Sequence, residues 1–264
     1  MSDRLAVITG ATSGIGEAYA DAFASQGYHL LLAGRRQQEL SQLAQRLTKQ
    51  YAVNVELQIG DLSQPQDLQA LADTLTRLPN LDALVNNAGY AVDGRLGDVD
   101  WEQHRALLDV HVTATTQLTH AALPNLLKAK GILINVASLA SWMPTAHSAL
   151  YGPTKAYVRS FTESVGLAYR AEGLKALALC PGFTITDFHS RMGIDPDRFY
   201  KKKGFVRAWT AEQVVTQSFK DLDKGRLISV QGWNYKLLVF IVRHLPSSWL
   251  SAALGRSKSA RFTN

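Results

Sequence analysis

The segment Thr9-Gly10-Ala11-Thr12-Ser13-Gly14-Ile15-Gly16 carries three glycines within seven residues. It follows the apolar run Leu5–Thr9 and precedes a helical pattern over Gly16–Gln26, so it joins a strand to a helix. Its spacing, Gly-x-x-x-Gly-x-Gly, differs from the commoner Gly-x-Gly-x-x-Gly. Glycines let the backbone approach a pyrophosphate, and the helix N-terminus supplies free N–H groups. The stretch predicts a dinucleotide site, although a purely structural tight turn uses the same residue type.

Short apolar runs alternate with helix-length segments along the rest of the chain. The predicted strands are Leu5–Thr9, His29–Ala33, Val53–Ile59, Leu81–Val85, Gly131–Val136, Leu174–Leu179 and Arg226–Val230. The predicted helices are Gly16–Gln26, Gln37–Tyr51, Pro65–Arg77, Trp101–Ala129 and Tyr151–Glu172. This alternation is typical of parallel strands with helices on both faces. We therefore predict the α/β class, with one doubly wound domain around a seven-stranded parallel sheet.

The composition of the chain is that of a folded globular protein. The 264 residues are 46% apolar and 19% charged, which is enough for a large core and too few charges for a disordered chain. The single cysteine, Cys180, excludes an internal disulfide, and we interpret it as a small buried hydrophobic residue. The N-terminus lacks the pattern of a signal peptide, and no apolar stretch reaches the length of a spanning helix. A cytoplasmic protein without a metal site is expected.

The net charge of +6 suits nucleic acid, anionic lipid, an anionic cofactor or simply a solvated surface. Nucleic acid is the weakest of these, because no helix concentrates basic residues on one face. The second predicted strand leads into Arg35-Arg36, with no carboxylate where a dinucleotide lacking a 2′-phosphate usually meets one. Two guanidinium groups suit a 2′-phosphate. This pair favours NADP(H) over NAD(H), although it also suits a charged helix start.

Polar and small residues follow the third and fourth predicted strands. Asp61-Leu62 is placed to contact the adenine edge of a dinucleotide, and Asn87-Ala88-Gly89 to line its middle. Asp, Asn and Gly also favour turns for local reasons, so both interpretations remain open.

The segment Tyr151-Gly152-Pro153-Thr154-Lys155 carries the candidate chemistry. Residues four apart share a helix face, and Pro153 suits a first helical turn. An ammonium near a phenol lowers the pKa of the phenol, so Tyr151 is a candidate acid or base for a carbonyl or alcohol. Ser138, just past a strand, is a candidate to hold the substrate oxygen, ahead of Ser141 and Ser148. Each of these residues also occurs there by chance or in turns.

Taken together, these motifs resemble the short-chain dehydrogenase/reductase family in its compact branch. The matching residues are Thr9–Gly16, Asn86–Gly89, Ser138, Tyr151 and Lys155, with Pro181-Gly182 and Thr186 after the sixth strand. The resemblance spans most of residues 4–230 and implies a Rossmann-type sheet, an NADP(H)-dependent carbonyl reductase or alcohol dehydrogenase, and 4-pro-S hydride transfer.

The resemblance also implies residue roles. Tyr151 would be the acid/base, Lys155 would bind the nicotinamide ribose, and Ser138 would orient the carbonyl. Pro181, Gly182 and Thr186 would flank the nicotinamide amide and phosphates. The cofactor contacts are then expected from Gly10, Thr12, Ser13, Gly14, Ile15, Gly16, Arg35, Arg36, Asp61, Leu62, Asn87, Ala88, Gly89, Pro181, Gly182 and Thr186.

Two positions depart from the pattern of the family. His111, in Asp109-Val110-His111-Val112-Thr113, stands where an asparagine usually holds a water that passes protons to the lysine. A neutral histidine also donates and accepts, so we expect slowed or pH-shifted activity; the alternative is a satisfied helix histidine. Ser13 stands where members that prefer NADP often carry a basic residue.

The resemblance also divides the chain into residues 1–232, including a substrate lid over 184–209, and a helical tail over 233–264. Aromatic residues in the lid favour an apolar substrate or simply pack the lid, and Lys201–Lys203 suit an anionic head. The aromatic and sulfur-containing residues are Phe183, Phe188, Met192, Phe199, Tyr200, Phe205 and Trp209, with Trp142 and Met143 after the serine. The tail is expected to form two short helices around Pro246.

The tail residues Trp249, Leu250 and Leu254 suit a partner subunit, a pocket cap or a peripheral membrane contact, in that order. The family also implies a homodimer or homotetramer through the helices that hold His111 and Tyr151. Two alternatives to the NADP(H)-linked enzyme stay open: an NAD-linked dehydrogenase, and a non-catalytic nucleotide-sensing protein on the same fold.

Overall fold

The computed structural model describes residues 4–145, 148–186 and 207–246. Seven parallel strands form one sheet in the order β3-β2-β1-β4-β5-β6-β9. They are β1 (Leu5–Thr9), β2 (His29–Gly34), β3 (Val55–Ile59), β4 (Leu81–Asn86), β5 (Ile132–Val136), β6 (Lys175–Leu179) and β9 (Ile228–Ser229). A separate parallel pair joins β7 (Thr184–Ile185) to β8 (Trp209–Thr210). The predicted seven-stranded doubly wound sheet is confirmed.

Helices cover both faces of the sheet. They are α1 (Gly14–Ser25), α2 (Gln37–Tyr51), α3 (Pro65–Arg77), α4 (Trp101–Leu108), α5 (Thr115–Ala129), α6 (Tyr151–Tyr169), α7 (Ala211–Asp223) and α8 (Gly232–His244). Apolar residues of α1, α2 and α7 pack on one face around Phe23, and those of α3 and α5 pack on the other around Leu84. Burial of these two apolar faces is the main stabilising contribution.

Strands β1 and β4 are parallel neighbours at the centre of the sheet. The chain runs from β1 outward to β3 and then returns to place β4 on the other side of β1, so the strand order reverses between these two strands. In open α/β sheets, ligands bind at the carboxyl ends of the strands at such a point. The glycine turn and the segment Asn87–Gly89 both leave the sheet there. The fold thus brings two of the predicted motifs to one edge.

Several predicted boundaries differ from the structure. Strand β3 begins at Val55 rather than Val53, and the last strand covers only Ile228–Ser229. The long helix predicted over Trp101–Ala129 is interrupted by a π-helical stretch, Asp109–Ala114. A π turn inserts residues into the helix without breaking its direction, so apolar periodicity alone does not reveal it. The short β7–β8 pair was not predicted, because two-residue strands carry no periodicity.

The tail begins as the helix α8, which packs its inner face on a cluster around Tyr235, Leu238 and Val239. The helix ends at His244, close to Pro246. The second tail helix, Trp249, Leu250, Leu254 and the lid residues 187–206 lie outside the described residues. Within the described ranges, no helix has the length and apolar character needed to cross a membrane.

Candidate active site

The glycine turn leaves no room for side chains at its glycines. Gly10 and Gly14 have φ values of 65° and 60°, in the left-handed region that favours glycine. A Cβ on Gly16 would lie 2.4 Å from the carbonyl oxygen of Gly10 and 2.5 Å from Nδ2 of Asn87. The turn is therefore a tightly closed backbone loop at the N-terminus of α1, with the shape expected for a pyrophosphate cradle.

Thr9 joins this loop to the end of β4. Its hydroxyl oxygen accepts the N–H groups of Asn87 and Ala88, both at 3.0 Å. The Asn87 side chain donates in return to the carbonyl oxygens of Thr9 and Gly10, at 3.1 and 3.0 Å. Asn87 thus holds the glycine turn itself. The sequence placed Thr9 in the glycine motif but gave it no role, because the partners of its hydroxyl group lie 78 and 79 residues away.

The two arginines after β2 occupy different places. Arg36 reaches the glycine turn and donates to the hydroxyl groups of Thr12 and, at 3.4 Å, of Ser13. Arg35 is largely exposed and forms an ion pair with Asp61 at 3.1 Å. The basic group that the family often carries at position 13 is supplied in space by Arg36. The structure therefore separates the pair into one arginine at the turn and one beside the Asp61 carboxylate.

Asp61 behaves as a turn residue as well as an ion-pair partner. One carboxylate oxygen accepts the N–H of Ser63 at 3.0 Å and its hydroxyl at 2.8 Å. Burial opposes ionisation, but these bonds and Arg35 together hold the pKa of Asp61 below its usual value. Leu62 packs on the core of one sheet face, and Ile15 packs on the other.

The catalytic candidates converge at the start of α6. Tyr151 is the first residue of this helix, and its phenol lies near enough to the hydroxyl of Ser138 for the serine to favour the phenolate. Ser138 caps a short 3-10 turn after β5 and accepts the N–H of Ala140. The ammonium nitrogen of Lys155 lies 5.9 Å from the Tyr151 ring centre. The predicted serine, tyrosine and lysine are thus brought together.

The electrostatics of the phenol differ from the prediction. Burial raises the pKa of Tyr151 above its usual value, and the nearby Ser138 hydroxyl acts in the opposite direction. Lys155 donates to the carbonyl oxygen of Val136 at 2.8 Å, and burial lowers its own pKa to about 8. The expected lowering of the phenol pKa by Lys155 is not found in this structure, where burial sets the direction of the shift and the ammonium lies 5.9 Å from the ring centre.

His111 lies on the π-helical stretch with 1% of its surface exposed. Its Nε2 accepts the N–H of Tyr90 at 3.2 Å, and its Nδ1 lies 2.9 Å from the hydroxyl oxygen of Thr154. The Thr154 hydroxyl uses its single hydrogen to donate to the carbonyl oxygen of Tyr151, so its oxygen must accept the Nδ1–H of His111. Burial and the Lys155 ammonium hold the pKa of His111 well below its usual value. The histidine is therefore neutral, with its proton on Nδ1.

Gly89 connects the nucleotide end of the site to the catalytic end. A Cβ on Gly89 would lie 2.9 Å from Nε2 of His111 and 3.2 Å from Nζ of Lys155. A Cβ on Gly10 would lie 2.8 Å from the Cα of Ala88, the residue before Gly89. The glycine turn, the end of β4 and the lysine thus share one continuous surface.

The segment after β6 lies against the same edge. A Cβ on Gly14 would meet the methyl group of Thr186 at 2.7 Å, so Thr186 rests on the glycine turn. The carbonyl oxygen of Pro181 accepts the N–H of Leu139, next to Ser138. A Cβ on Gly182 would lie 2.5 Å from the ring of Tyr235. These three predicted residues are therefore at the site.

Tyr235 is a further residue that the sequence reasoning missed. Its hydroxyl accepts the N–H of Phe183 at 3.3 Å and donates to the carbonyl oxygen of Arg207 at 2.9 Å. One side chain of α8 thus holds both described ends of the lid. No local pattern predicts this, because the partners lie 52 and 28 residues away in sequence.

These residues fit a nicotinamide dinucleotide. The glycines of the turn at Gly10–Gly16 let the backbone close tightly at the N-terminus of α1, which suits a diphosphate. Arg36 stands beside that turn, and the Lys155 ammonium lies further along the same surface. An acceptor-rich phosphate and ribose match these donors.

Comparisons with known proteins agree with this geometry. The family model described as short chain dehydrogenase matches residues 4–196. An uncharacterized oxidoreductase of Staphylococcus epidermidis is 34% identical over 187 residues, which cover 70% of this chain and 80% of that relative. Sulfoacetaldehyde reductase 2 of Chromohalobacter salexigens is 34% identical over 192 residues, covering 71% and 75% of the two chains.

A solved short-chain dehydrogenase from Sphingobium yanoikuyae, in complex with NADPH, superimposes with a TM-score of 0.81. It is 28% identical, and the match covers 96% of this chain and 93% of that one. The protein is accordingly an oxidoreductase that uses a nicotinamide cofactor and acts on CH–OH or C=O groups. It belongs to the short-chain dehydrogenase/reductase family.

Proposed function

We propose that the chain is a cytoplasmic NADP(H)-dependent carbonyl reductase or secondary alcohol dehydrogenase with an apolar substrate. The observation that carries the proposal is that Ser138, Tyr151 and Lys155 lie together on the surface that leads to the glycine turn. A phenol and a hydroxyl side by side offer two donors to one substrate oxygen, which suits the transfer of a proton to or from it.

The nicotinamide, when bound, supplies or accepts the hydride. Tyr151 would give its phenolic proton to the carbonyl oxygen in reduction and take it back from the alcohol in oxidation. Ser138 would hold the same oxygen and share its developing charge. The Lys155 ammonium donates one N–H to the carbonyl oxygen of Val136. Among the described residues its other two N–H groups have no acceptor, and they would donate to a ribose hydroxyl and toward Tyr151.

The preference for NADP(H) is supported by Arg36. Its guanidinium already lies on the hydroxyl groups of the glycine turn, where a 2′-phosphate at the end of β2 would be within reach. Arg35 is largely exposed and would add a second contact, although Asp61 competes for it. Titration of NADPH and NADH against intrinsic fluorescence tests the preference, and tighter binding of NADH would overturn it.

The apolar substrate is supported by the aromatic residues of the segment after β6. Two of them lie within the described residues, Phe183 and Trp209, and both pack on the apolar cluster around Cys180. The thiol of Cys180 is buried, and burial raises its pKa to about 12, which confirms it as a hydrophobic core residue.

Cells keep most of their NADP(H) in the reduced form, which favours reduction of the carbonyl as the direction of the reaction.

A panel of ketones graded by size and polarity tests the function, with NADPH consumption as the readout and Tyr151→Phe as the control. Turnover that rises with apolar surface and is lost in the variant is the expected result. NADPH binding without turnover of any ketone or alcohol would instead make the chain a nucleotide-sensing protein.

We also propose that His111 positions the site and does not relay protons. Both ring nitrogens are used, one by Tyr90 and one by Thr154, so the ring joins the end of β4 to the first turn of α6.

The helices that hold His111 and Tyr151 expose Trp101 and Leu167, which supports a homodimer or homotetramer through this face. Analytical ultracentrifugation tests the assembly, and a monomer at micromolar concentration would contradict it.

A further inference from the structure

The helix α8 presents a second apolar face to solvent. Its inner face packs on the core through Tyr235, Leu238 and Val239. On the opposite side Trp233, Leu237, Phe240 and Ile241 form an exposed stripe, with Trp233 71% and Phe240 59% exposed. These positions recur at the three- and four-residue spacing of one helical face. We name this set the outer stripe.

Charge is segregated to the same part of the chain. Residues 224–264 contain seven lysine and arginine residues and no aspartate or glutamate. Residues 1–223 contain 21 basic and 22 acidic residues, so the excess positive charge of the whole chain lies in its last 41 residues. On α8 itself, Lys236 and Arg243 follow one edge of the outer stripe and are exposed.

We propose that α8 docks on the surface of an anionic lipid bilayer, with the outer stripe in the interface and Lys236 and Arg243 against the head groups. An apolar helical face edged by basic residues is the arrangement that binds in the plane of such a surface. Nucleic acid would use the charge but not the exposed aromatic and aliphatic stripe. The docking element proposed is α8, and the inference does not depend on the substrate.

Co-sedimentation with vesicles tests this directly. The chain should bind vesicles of equal parts phosphatidylcholine and phosphatidylglycerol and bind phosphatidylcholine alone far more weakly, with the difference shrinking as salt rises. Phe240→Gln should weaken binding about tenfold, because the ring leaves the interface. Leu96→Gln is the matched control, since Leu96 is 57% exposed and lies outside α8, and it should bind like the parent chain.

A second pair of variants tests the charge. Lys236→Glu with Arg243→Glu should reduce binding roughly tenfold or more. Lys49→Glu with Lys128→Glu changes the net charge equally on exposed parts of α2 and α5, and it should retain most of the binding. Thermal unfolding of every variant confirms that the fold is kept.

Three results would overturn the proposal. The first is no binding of the parent chain to either vesicle. The second is binding to duplex DNA as strong as binding to anionic vesicles, with neither binding weakened in Phe240→Gln. That result would indicate a site for polyanions in general. The third is a smaller assembly for Phe240→Gln by ultracentrifugation with vesicle binding unchanged, which would make the outer stripe a contact between copies of this chain.

Discussion

The ring of His111 and the hydroxyl of Thr154 lie 2.9 Å apart in the interior of the protein, and that hydroxyl donates onward to the carbonyl oxygen of Tyr151. The direction of these bonds fixes the proton of the imidazole on Nδ1. Nε2 is then left as the acceptor for Tyr90. His111, which stands where the family usually has an asparagine, is therefore a structural link between the segment after β4 and the first turn of α6.

This link predicts the protonation state of His111. Nitrogen-15 NMR should show Nδ1 protonated and Nε2 unprotonated through the pH range in which an exposed histidine gains its second proton, because burial and Lys155 keep the ring neutral. Thr154→Val should cost about 1–3 kcal/mol by leaving the Nδ1–H without an acceptor, whereas Thr154→Ser should restore most of it. A ring that gains a proton near its ordinary pKa, or an activity–pH profile that changes in His111→Asn, would return the proton-relay role to the histidine.

Tyr151→Phe should lower kcat by about two to four orders of magnitude, because the substrate oxygen loses its proton donor. Ser138→Ala should lower kcat by about two to three orders, since one oxygen-binding hydroxyl is lost. Steady-state kinetics on a ketone that the panel identifies provide the measurement. Tyr157→Phe is the matched control on the same helix, because Tyr157 is partly exposed and bonds Thr116 away from the pocket. Equal losses in Tyr157→Phe and Tyr151→Phe would argue against this assignment.

Arg36→Ala should raise the KM for NADPH by about ten- to a hundredfold and leave the KM for NADH within about threefold, because only the 2′-phosphate loses a charged donor. Arg35→Ala should have a smaller effect, since that side chain is already paired with Asp61. Cofactor saturation curves for the two variants measure the difference. An NADPH preference that survives in both single variants and in their combination would place the phosphate site elsewhere.

Lys155 should leave a signature in the pH dependence of stability. Its pKa is about 8 in the folded protein and near 10.5 when unfolded, so the unfolded chain holds more protons between these values. Stability should then rise with pH through this window, by roughly 1 kcal/mol at pH 9. The measurement is the free energy of unfolding of the parent chain minus that of Lys155→Met, at several pH values. Cys180, buried in both proteins, cancels in the difference. A difference that stays flat from about pH 7 to about pH 9 would show that the lysine is not desolvated.

Gly16→Ala should destabilise the protein by about 1–3 kcal/mol and weaken cofactor binding, because the added methyl group meets the carbonyl oxygen of Gly10. Gly97→Ala is the control, since a Cβ there meets nothing within 4 Å. Chemical denaturation and NADPH titration measure the two effects. If Gly16→Ala matched Gly97→Ala in both, the closed loop would not be what the diphosphate needs.

The fold could be predicted from the sequence because its signals are local. Apolar runs of strand length, separated by amphipathic segments, indicate parallel strands and their covering helices before any contact is known. The glycine spacing marked the turn, and the Tyr-x-x-x-Lys spacing marked one helix face. The π-helical stretch around His111 and the two-residue strands β7 and β8 escaped prediction, because neither leaves a periodic pattern.

The sheet and the edge where a nucleotide belongs could be predicted from the amino acids alone, and so could the candidates Ser138, Tyr151 and Lys155, because strand runs, turn glycines and helix spacing are short-range patterns. The folded chain was needed to show that Arg36 rather than Arg35 reaches the glycine turn, that Thr9 and Asn87 join two strand ends, and that His111 is neutral. Desolvation and hydrogen-bond direction depend on groups brought together from distant parts of the chain. The spacing of residues along a sequence carries no record of either.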